Sequence, residues 1–357
     1  MADNFFLGSF SPQGFKSDFS KVIDTEGYFT YILKGGAGTG KSLLMKKVGK
    51  FFEDSDEVSY YYCSSDPASL DGVVINNAKI VIVDGTSPHV FDPVYPGVRQ
   101  KIINLGDCWD DKKLEDSTDE IILIAKEHKK LMDRTKRYVK ALSSIFNDTY
   151  VVADEAVLTD KLKGFITRLT KKIAPKRTGN FGKVLNKQLS AITPSGYLTQ
   201  VETFKEYEVY LLMDNFFAGS DHLLRELAGS LASHGKDVWV SLSNMFDTPV
   251  YEHLIVPDLK TAFISSNPLT GLALEGVKPI NIQRFYDKHV ISQRKYRLKL
   301  NKTACADLTA ESSKTMKLAL EAHNALESFY IKAMDFSKVD IITQTIIKKS
   351  KRGDLSE

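Results

Sequence analysis

One short segment constrains the fold of this chain more than any other. It matches the pattern G-x-x-x-x-G-K-[ST] and consists of Gly35, Gly36, Ala37, Gly38, Thr39, Gly40, Lys41 and Ser42. The apolar run at residues 28–34 is typical of a buried strand, and the apolar residues at helical spacing from 43 to 48 are typical of an amphipathic helix. A strand, a glycine-rich loop and a helix in this order predict an α/β fold whose loop binds phosphate groups.

Each part of this loop has a chemical role that we expect it to play. The glycines permit backbone conformations that point successive N–H groups at phosphate oxygens. The N-terminus of the following helix adds unpaired N–H groups and the positive end of its dipole. Lys41 is expected beside the β- and γ-phosphates, and Ser42 offers an oxygen to Mg²⁺. The segment therefore predicts a site for ATP and Mg²⁺.

A second acidic residue is expected to hold the metal ion. Residues 80–83 are all β-branched, which is typical of a parallel strand buried on both faces, and Asp84 follows at the strand end where open α/β sheets bind ligands. We therefore predict Asp84 as a metal ligand and catalytic residue. Asp154, after the apolar residues 150–153, is the competing candidate. It is disfavoured because the residues beyond it continue at helical spacing.

The residue after Asp84 bears on the type of reaction. Gly85 stands where many ATP-hydrolysing proteins have a glutamate that orients water, and an Asp-Gly pair at this point is typical of nucleotide kinases. Four further residues are candidates for contacts with a phosphate, ribose, an acceptor or water, although turns, caps and surface ion pairs are the favoured explanation for each: Asp66, Asp71, His89 and Arg99.

The chain also repeats itself. At an offset of about 180 residues, segments 10–15, 31–33, 43–44, 71–83 and 97–99 match 192–197, 210–212, 223–224, 252–264 and 276–278 in the same order. We therefore predict an internal duplication, with one domain at 1–175, another at 186–357 and a basic linker between them. Each half alternates strands with helices. This predicts two three-layer P-loop NTPase-like α/β domains with mainly parallel sheets, each ending in long helices.

The two halves are not equal at the loop. The second half reads Asp-Asn-Phe-Phe-Ala-Gly-Ser-Asp-His at 214–222 and lacks the motif. With one insertion counted, Asp221 aligns with Lys41 and His222 with Ser42, so a carboxylate would face the phosphates and repel them. We predict that the second half binds no triphosphate in this way. Its role is then structural or regulatory, and a site for another ligand or partner remains an alternative.

A long helix is predicted at the end of the first half. Ser117 to Glu120 form a capping box pattern ahead of an apolar stripe that reaches Ile145. The opposite face is basic, which indicates a solvated surface or, alternatively, a lid over an anionic substrate, and it carries Lys126, Lys129, Lys130, Arg134, Lys136, Arg137 and Lys140.

Composition narrows the cellular setting. The 357 residues are 43% hydrophobic, so the chain can bury a large core, and a net charge of +3 does not by itself indicate a nucleic-acid partner, although it leaves one open. Cys63, Cys108 and Cys305 have neither disulfide-framework nor zinc-site spacing. With no leader pattern and no long apolar run, we expect a cytoplasmic protein without a membrane segment.

Three segments together resemble a known family: Leu33 to Ser42, Asp84 to His89 with Asp92-Pro93 and Pro96-Gly97, and Ile103 to Trp109. The chain resembles, over its whole length, a little-characterised family of tandem P-loop ATPases from Firmicutes. The resemblance implies ATP binding and ATPase activity, but it carries over no substrate. Both halves of that family tend to have a P-loop, so the altered second loop is a departure.

The expected function is ATP hydrolysis with Mg²⁺ in the first half. A kinase acting on a nucleotide or small metabolite is the first alternative. A non-enzymatic, ATP-gated switch that binds a partner is the second.

Overall fold

The structure, a computed structural model, describes residues 2–23, 25–87, 90–177 and 179–352. The first half contains β1 (Asp3–Phe6), β2 (Gly8–Ser11), β3 (Gly14–Ser17), α1 (Phe19–Ile23), β4 (Phe29–Lys34), α2 (Lys41–Phe52), β5 (Val58–Tyr62), β6 (Leu70–Ile75), β7 (Ile80–Asp84), β8 (Gln100–Asn104), α3 (Asp111–Glu115), α4 (Thr118–Asp154) and α5 (Thr159–Ile173).

The second half contains β9 (Val184–Asn186), β10 (Ser190–Thr193), β11 (Gly196–Thr199), β12 (Glu208–Met213), α6 (Ala218–Ser233), β13 (Val238–Ser243), β14 (Val250–Val256), β15 (Thr261–Ser266), β16 (Lys278–Asn281), α7 (Lys288–Gln293), α8 (Lys295–Ala333) and α9 (Phe336–Arg352). Short 3-10 turns lie at Leu105–Cys108, Val201–Phe204, Pro257–Leu259 and Ile282–Phe285.

Each half contributes one six-stranded sheet and one two-stranded hairpin. The sheet orders are β1-β5-β6-β7-β4-β8 and β9-β13-β14-β15-β12-β16, so the strands correspond one for one. In each sheet one strand, β6 or β14, runs antiparallel to both neighbours, and the other pairs are parallel. The α/β class and the mainly parallel pairing are confirmed. The antiparallel strand was not predicted.

Both faces of each sheet are buried, and alternate residues of a strand enter different cores. Ile82 of β7 packs with α2, whereas its neighbour Val83 joins a cluster that includes residues of the second sheet. Leu212 of β12 packs with α6, whereas Leu211 joins the same cluster as Val83. This shared core connects the inner faces of the two sheets. The layers are therefore helix, sheet, sheet and helix rather than two separate three-layer units.

Helices near the end of each half pack on the sheet of the other half. Helices α4 and α8 pack against each other, then α5 packs on α6 of the second half and α9 packs on α2 of the first half. Leu162 and Ile166 of α5 consequently lie in the core of the second sheet, and Val339 and Ile346 of α9 lie in the core of the first. Each sheet depends on a helix from the other half of the sequence.

The long helix predicted after Ser117 is present as α4, with one local difference. Ser117 makes no side-chain capping bond, because the turn that ends α3 runs directly into α4. The basic face of α4 is exposed, as the solvated interpretation predicts, and Asp154 lies in the helix rather than after a strand. Among the described helices, none has both the length and the apolar character needed to cross a bilayer.

The exchange of α9 predicts a specific loss of stability. Ile346 is 2% exposed in the first core and Ile341 of the same helix is 66% exposed. We expect Ile346→Ala to lower the free energy of unfolding by about 2–4 kcal/mol through cavity formation. The matched control Ile341→Ala should change it little. Equal effects of the two substitutions in denaturant unfolding would contradict the packing of α9 on α2.

Candidate phosphate-binding site

The glycine-rich loop joins β4 to α2 at the carboxyl edge of the first sheet, which confirms the predicted strand, loop and helix. Gly35, Gly38 and Gly40 have φ values of 152°, 70° and 87°, a region that favours glycine. Gly40 precedes α2 without a side-chain cap. An uncapped helix N-terminus beside a loop of this kind is a favourable site for an anion.

The predicted polar residues lie together at this loop. The ammonium of Lys41 donates to the carbonyl oxygens of Gly35 (3.0 Å) and Gly36 (2.7 Å) and lies 3.7 Å from Oδ2 of Asp84. The other carboxylate oxygen, Oδ1 of Asp84, accepts bonds from the N–H (2.8 Å) and hydroxyl (2.5 Å) of Thr86. Asp84 is therefore fixed in orientation with Oδ2 directed at the lysine.

A cavity of about 650 Å³ opens above these residues. Its base is the whole of segment 35–42 with the ends of β5, β6 and β7, and its wall comes from α4, α8 and α9. The wall residues are His128, Met132, Met316, Ala319, Leu320, His323, Glu327, Ile331 and Phe336. The volume lies in the range of small-molecule sites. The cavity is thus formed by both halves of the chain.

Asp71 is the most deeply buried carboxylate of this cavity. Gly72 of β6 pairs with Val83 of β7, and the two strands are antiparallel, so Asp71 lies opposite Asp84 on the neighbouring strand. Asp71 is 4% exposed. Burial, followed by the nearby charge of Asp84, raises the pKa of Asp71 to about 8. Asp66 also lines the cavity, but its carboxylate accepts a bond from Ala68 N within a turn.

Helix α8 contacts the loop directly, which sequence reasoning missed. Oε1 of Glu327 accepts a bond from the N–H of Gly38 (3.2 Å), and a Cβ at position 38 would lie 2.7 Å from the carbonyl oxygen of Glu327. The pKa of Glu327 is lowered chiefly by His323, whose ring lies 5.8 Å from that of His128. Gly38 is thus needed for close approach of α8 as well as for its positive φ. No spacing signal relates residues 289 positions apart.

Two of the candidate residues are not part of the cavity as described. Arg99 lies at the start of β8, where its carbonyl oxygen accepts from Thr30 N (2.8 Å) at the beginning of β4. That is the opposite end of the strand from the loop, so the alternative in which Arg99 acts in the transition state is wrong. His89 lies outside the described residues.

The glycine after Asp84 has a packing explanation. A Cβ at Gly85 would lie 2.5 Å from Cγ2 of Ile32, which is fully buried. A glutamate at position 85 would therefore displace β4. The Asp-Gly pair that resembles a kinase is explained by this contact, whatever the reaction.

The corresponding loop of the second half is occupied by its own carboxylate. Asp214, 1% exposed, accepts bonds from the N–H groups of Phe216 (2.9 Å) and Ser220 (2.8 Å). The hydroxyl of Tyr286 donates to it (3.0 Å) and accepts from Gly219 N (2.6 Å). Amide groups that a phosphate would need in the manner of the first loop are already paired.

Hydrogen bonds also correct the alignment of the two loops. Asp221 Oδ1 accepts from Tyr251 N (2.7 Å), just as Ser42 Oγ accepts from Leu70 N (3.0 Å). Leu70 and Tyr251 are equivalent, since they pair with Tyr62 and Leu242 at the same irregularity of their sheets. Asp221 therefore occupies the place of Ser42, and the predicted match with Lys41 is wrong by one residue.

Comparison with known protein families, with curated proteins and with solved structures found no match to this chain.

The contact of Glu327 with the loop predicts its effect on anion binding. Glu327→Gln should tighten the binding of inorganic pyrophosphate about fivefold, because a negative charge near the loop amides and Lys41 is removed. Glu321→Gln, on an exposed part of the same helix, is the matched control and should have no effect. Isothermal titration calorimetry measures both. Weaker binding to the Glu327 variant would show that this carboxylate assists the site rather than competing for it.

Proposed function

We propose that the first half binds ATP with Mg²⁺ and hydrolyses it. The observation that carries this proposal is the convergence of Lys41, Ser42 and Asp84 on one cavity at the N-terminus of α2. Each of the three has the chemistry that one part of a Mg·ATP complex requires. The amide groups of the loop add further donors. Among the described residues, only the amide of Gly38 donates to a charged side chain, that of Glu327.

The residues present fit both groups. Ser42 Oγ accepts one bond from Leu70 N and keeps a second lone pair, and Asp84 keeps Oδ2 outside its bonds with Thr86. Mg²⁺ takes one or two protein oxygens together with phosphate oxygens and water, so Ser42 and Asp84 would hold it. The bound ion would neutralise charge on the phosphates.

Lys41 changes partners when the phosphates bind. Its two bonds to the carbonyl oxygens of Gly35 and Gly36 hold the side chain against the loop. The ammonium exchanges these bonds for charge-assisted bonds to the β- and γ-phosphates, which are stronger. A fixed positive charge at this point stabilises the charge that develops as the bond to the γ-phosphorus breaks.

Asp71 is our candidate for the base. In hydrolysis a water oxygen forms a bond to the γ-phosphorus, the bond from that phosphorus to the bridging oxygen of ADP breaks, and the water gives up a proton. Asp71 lines the cavity beside Asp84, and its raised pKa makes its ionised form a stronger base than an ordinary carboxylate. Burial of Asp71 on β6 is the main cause of this raised pKa.

For the second half we propose descent from the first by duplication, with a structural or regulatory role. The identical strand orders support descent by duplication. The loop amides that already donate to Asp214 support a role other than phosphate binding. A cytoplasmic location accords with the free thiols of Cys63, Cys108 and Cys305. The switch alternative is favoured by one observation, the direct contact of α8 with the loop.

The decisive test is phosphate release from ATP in the absence of any acceptor. We expect Lys41→Ala and Asp84→Asn to reduce the rate about 100-fold or more, since each removes a charge that acts on the transferred group. Lys50→Ala, at the far and exposed end of α2, is the matched control and should leave the rate unchanged.

Other outcomes select the alternatives. ADP formed only after addition of a metabolite pool, together with a new phosphorylated product, would replace hydrolysis by kinase activity. A third outcome is that ATP binds tightly but is not turned over in either assay, while the affinity of a partner changes with the bound nucleotide. That outcome would support the non-enzymatic, ATP-gated switch.

The role of Asp71 predicts a pH dependence. A carboxyl with a pKa of about 8 is mostly protonated at neutral pH and ionises as the pH rises, so kcat/KM should rise with pH and level off above about 8. Asp71→Asn should lower kcat/KM about 100-fold or more and remove this inflection. Asp66→Asn, a turn carboxyl in the same cavity, should keep it. An unchanged inflection in Asp71→Asn would exclude Asp71 as the base.

A further inference from the structure

A second cavity lies at the corresponding edge of the second sheet. Its volume is about 530 Å³, and it is enclosed by the loop after β12, the 3-10 turn at Ile282–Phe285, α7, the first turns of α8 and one turn of α4. It corresponds in position to the phosphate-binding cavity of the first half. Its chemistry differs, however, because Asp214 already occupies the loop amides.

The floor of this cavity is apolar. Phe146, Phe217, Tyr286 and Leu298 line it and are themselves buried, and Phe216 adds a partly buried ring. Buried apolar side chains that face an open cavity favour a ligand whose body displaces water from them. A simple inorganic anion would leave this floor without a partner.

The rim carries four positive charges and no negative one. Lys288, Lys295, Lys299 and Lys302 line the cavity, and no aspartate or glutamate in the described part of the chain does. Across the described ranges none of these four lysines forms an ion pair, whereas the neighbouring Arg297 is paired with Asp148. A concave site lined by charge of one sign concentrates ligands of the opposite sign.

Gln283 adds a buried donor. Gln283 lines the same cavity, and its Nε2 is buried and has no hydrogen-bond partner among the described residues. An unpaired buried donor is unfavourable, and a ligand acceptor that reached it would remove this cost. This observation is independent of the lysines.

We propose that this second cavity binds an organic phosphate whose body is apolar or aromatic. The body would lie on the floor of Phe146, Phe217 and Leu298, and the phosphates would reach the lysine rim. Four lysines match a ligand with two or more negative charges better than a single carboxylate. This proposal does not rest on hydrolysis in the first half.

The test uses the full chain with Lys41→Ala, so that phosphate binding at the first loop does not contribute. Farnesyl diphosphate, guanosine diphosphate and inorganic pyrophosphate are titrated separately by calorimetry. We expect one of the two organic diphosphates to bind at least about 10-fold more tightly than pyrophosphate. Which of them binds distinguishes a lipid-like source from a nucleotide source. Failure of both, or pyrophosphate binding equally well, would overturn the proposal.

Two sets of variants locate the binding. The pair Lys299→Glu and Lys302→Glu should weaken it about 10-fold or more, while Lys314→Glu and Lys317→Glu, exposed on α8 away from the cavity, should not. Ser292→Trp should block binding by filling the cavity from its exposed wall without altering a lysine. Unchanged far-UV circular dichroism establishes that each variant is folded. Binding that survives both the lysine pair and Ser292→Trp would overturn the assignment.

Discussion

Burial of both faces of each sheet determines where a ligand can reach this protein. The inner faces meet in the shared core, and the outer faces are covered by α2 with α9 or by α6 with α5. The edges at which strands end remain open to both cavities. Both cavities lie at the edge where β4 and β12 pass into their loops, which is where open α/β sheets bind ligands. Their equivalent positions follow from the equivalent strand orders.

The exchange of helices makes both cavities composite. Helix α8 lines the first cavity with His323 and Glu327 and the second with Lys299 and Lys302. Helix α4 likewise contributes His128 to the first and Phe146 to the second, so the paired long helices run from one site to the other. A ligand that displaced α8 as a rigid helix in one cavity would also displace a wall of the other. Coupling between the sites requires only that a ligand bind two positions of α8 with different affinity.

The parts of the fold that could be predicted are those with contiguous signals. The glycine-rich loop lies between its own strand and helix, and Asp84 ends a run that only a buried strand explains. The antiparallel direction of β6 could not be predicted from the sequence, because a strand buried on both faces has the same apolar pattern whether it runs parallel or antiparallel to its neighbours. The position of Arg99 could not be predicted without the register of β8 on β4, and Asp221 was misaligned because the loops at 35–40 and 214–217 differ in length. Glu327 acts on a loop far away in sequence, where no local pattern points to it.

The N–H groups of each loop bind a carboxylate, but the two carboxylates come from different parts of the chain. A helix N-terminus beside a tight loop favours a negative charge, and each half supplies a carboxylate to it. In the second half Asp214 is buried, bonded to two amides and a hydroxyl, and part of the loop itself. In the first half Glu327 comes from α8, bonds one amide at 3.2 Å and keeps about a third of its side chain exposed. Displacing Asp214 would leave a buried charge unpaired, whereas Glu327 can return to water at little cost. These contacts favour the exchange of the carboxylate for another anion at the first loop and oppose it at the loop of the second half.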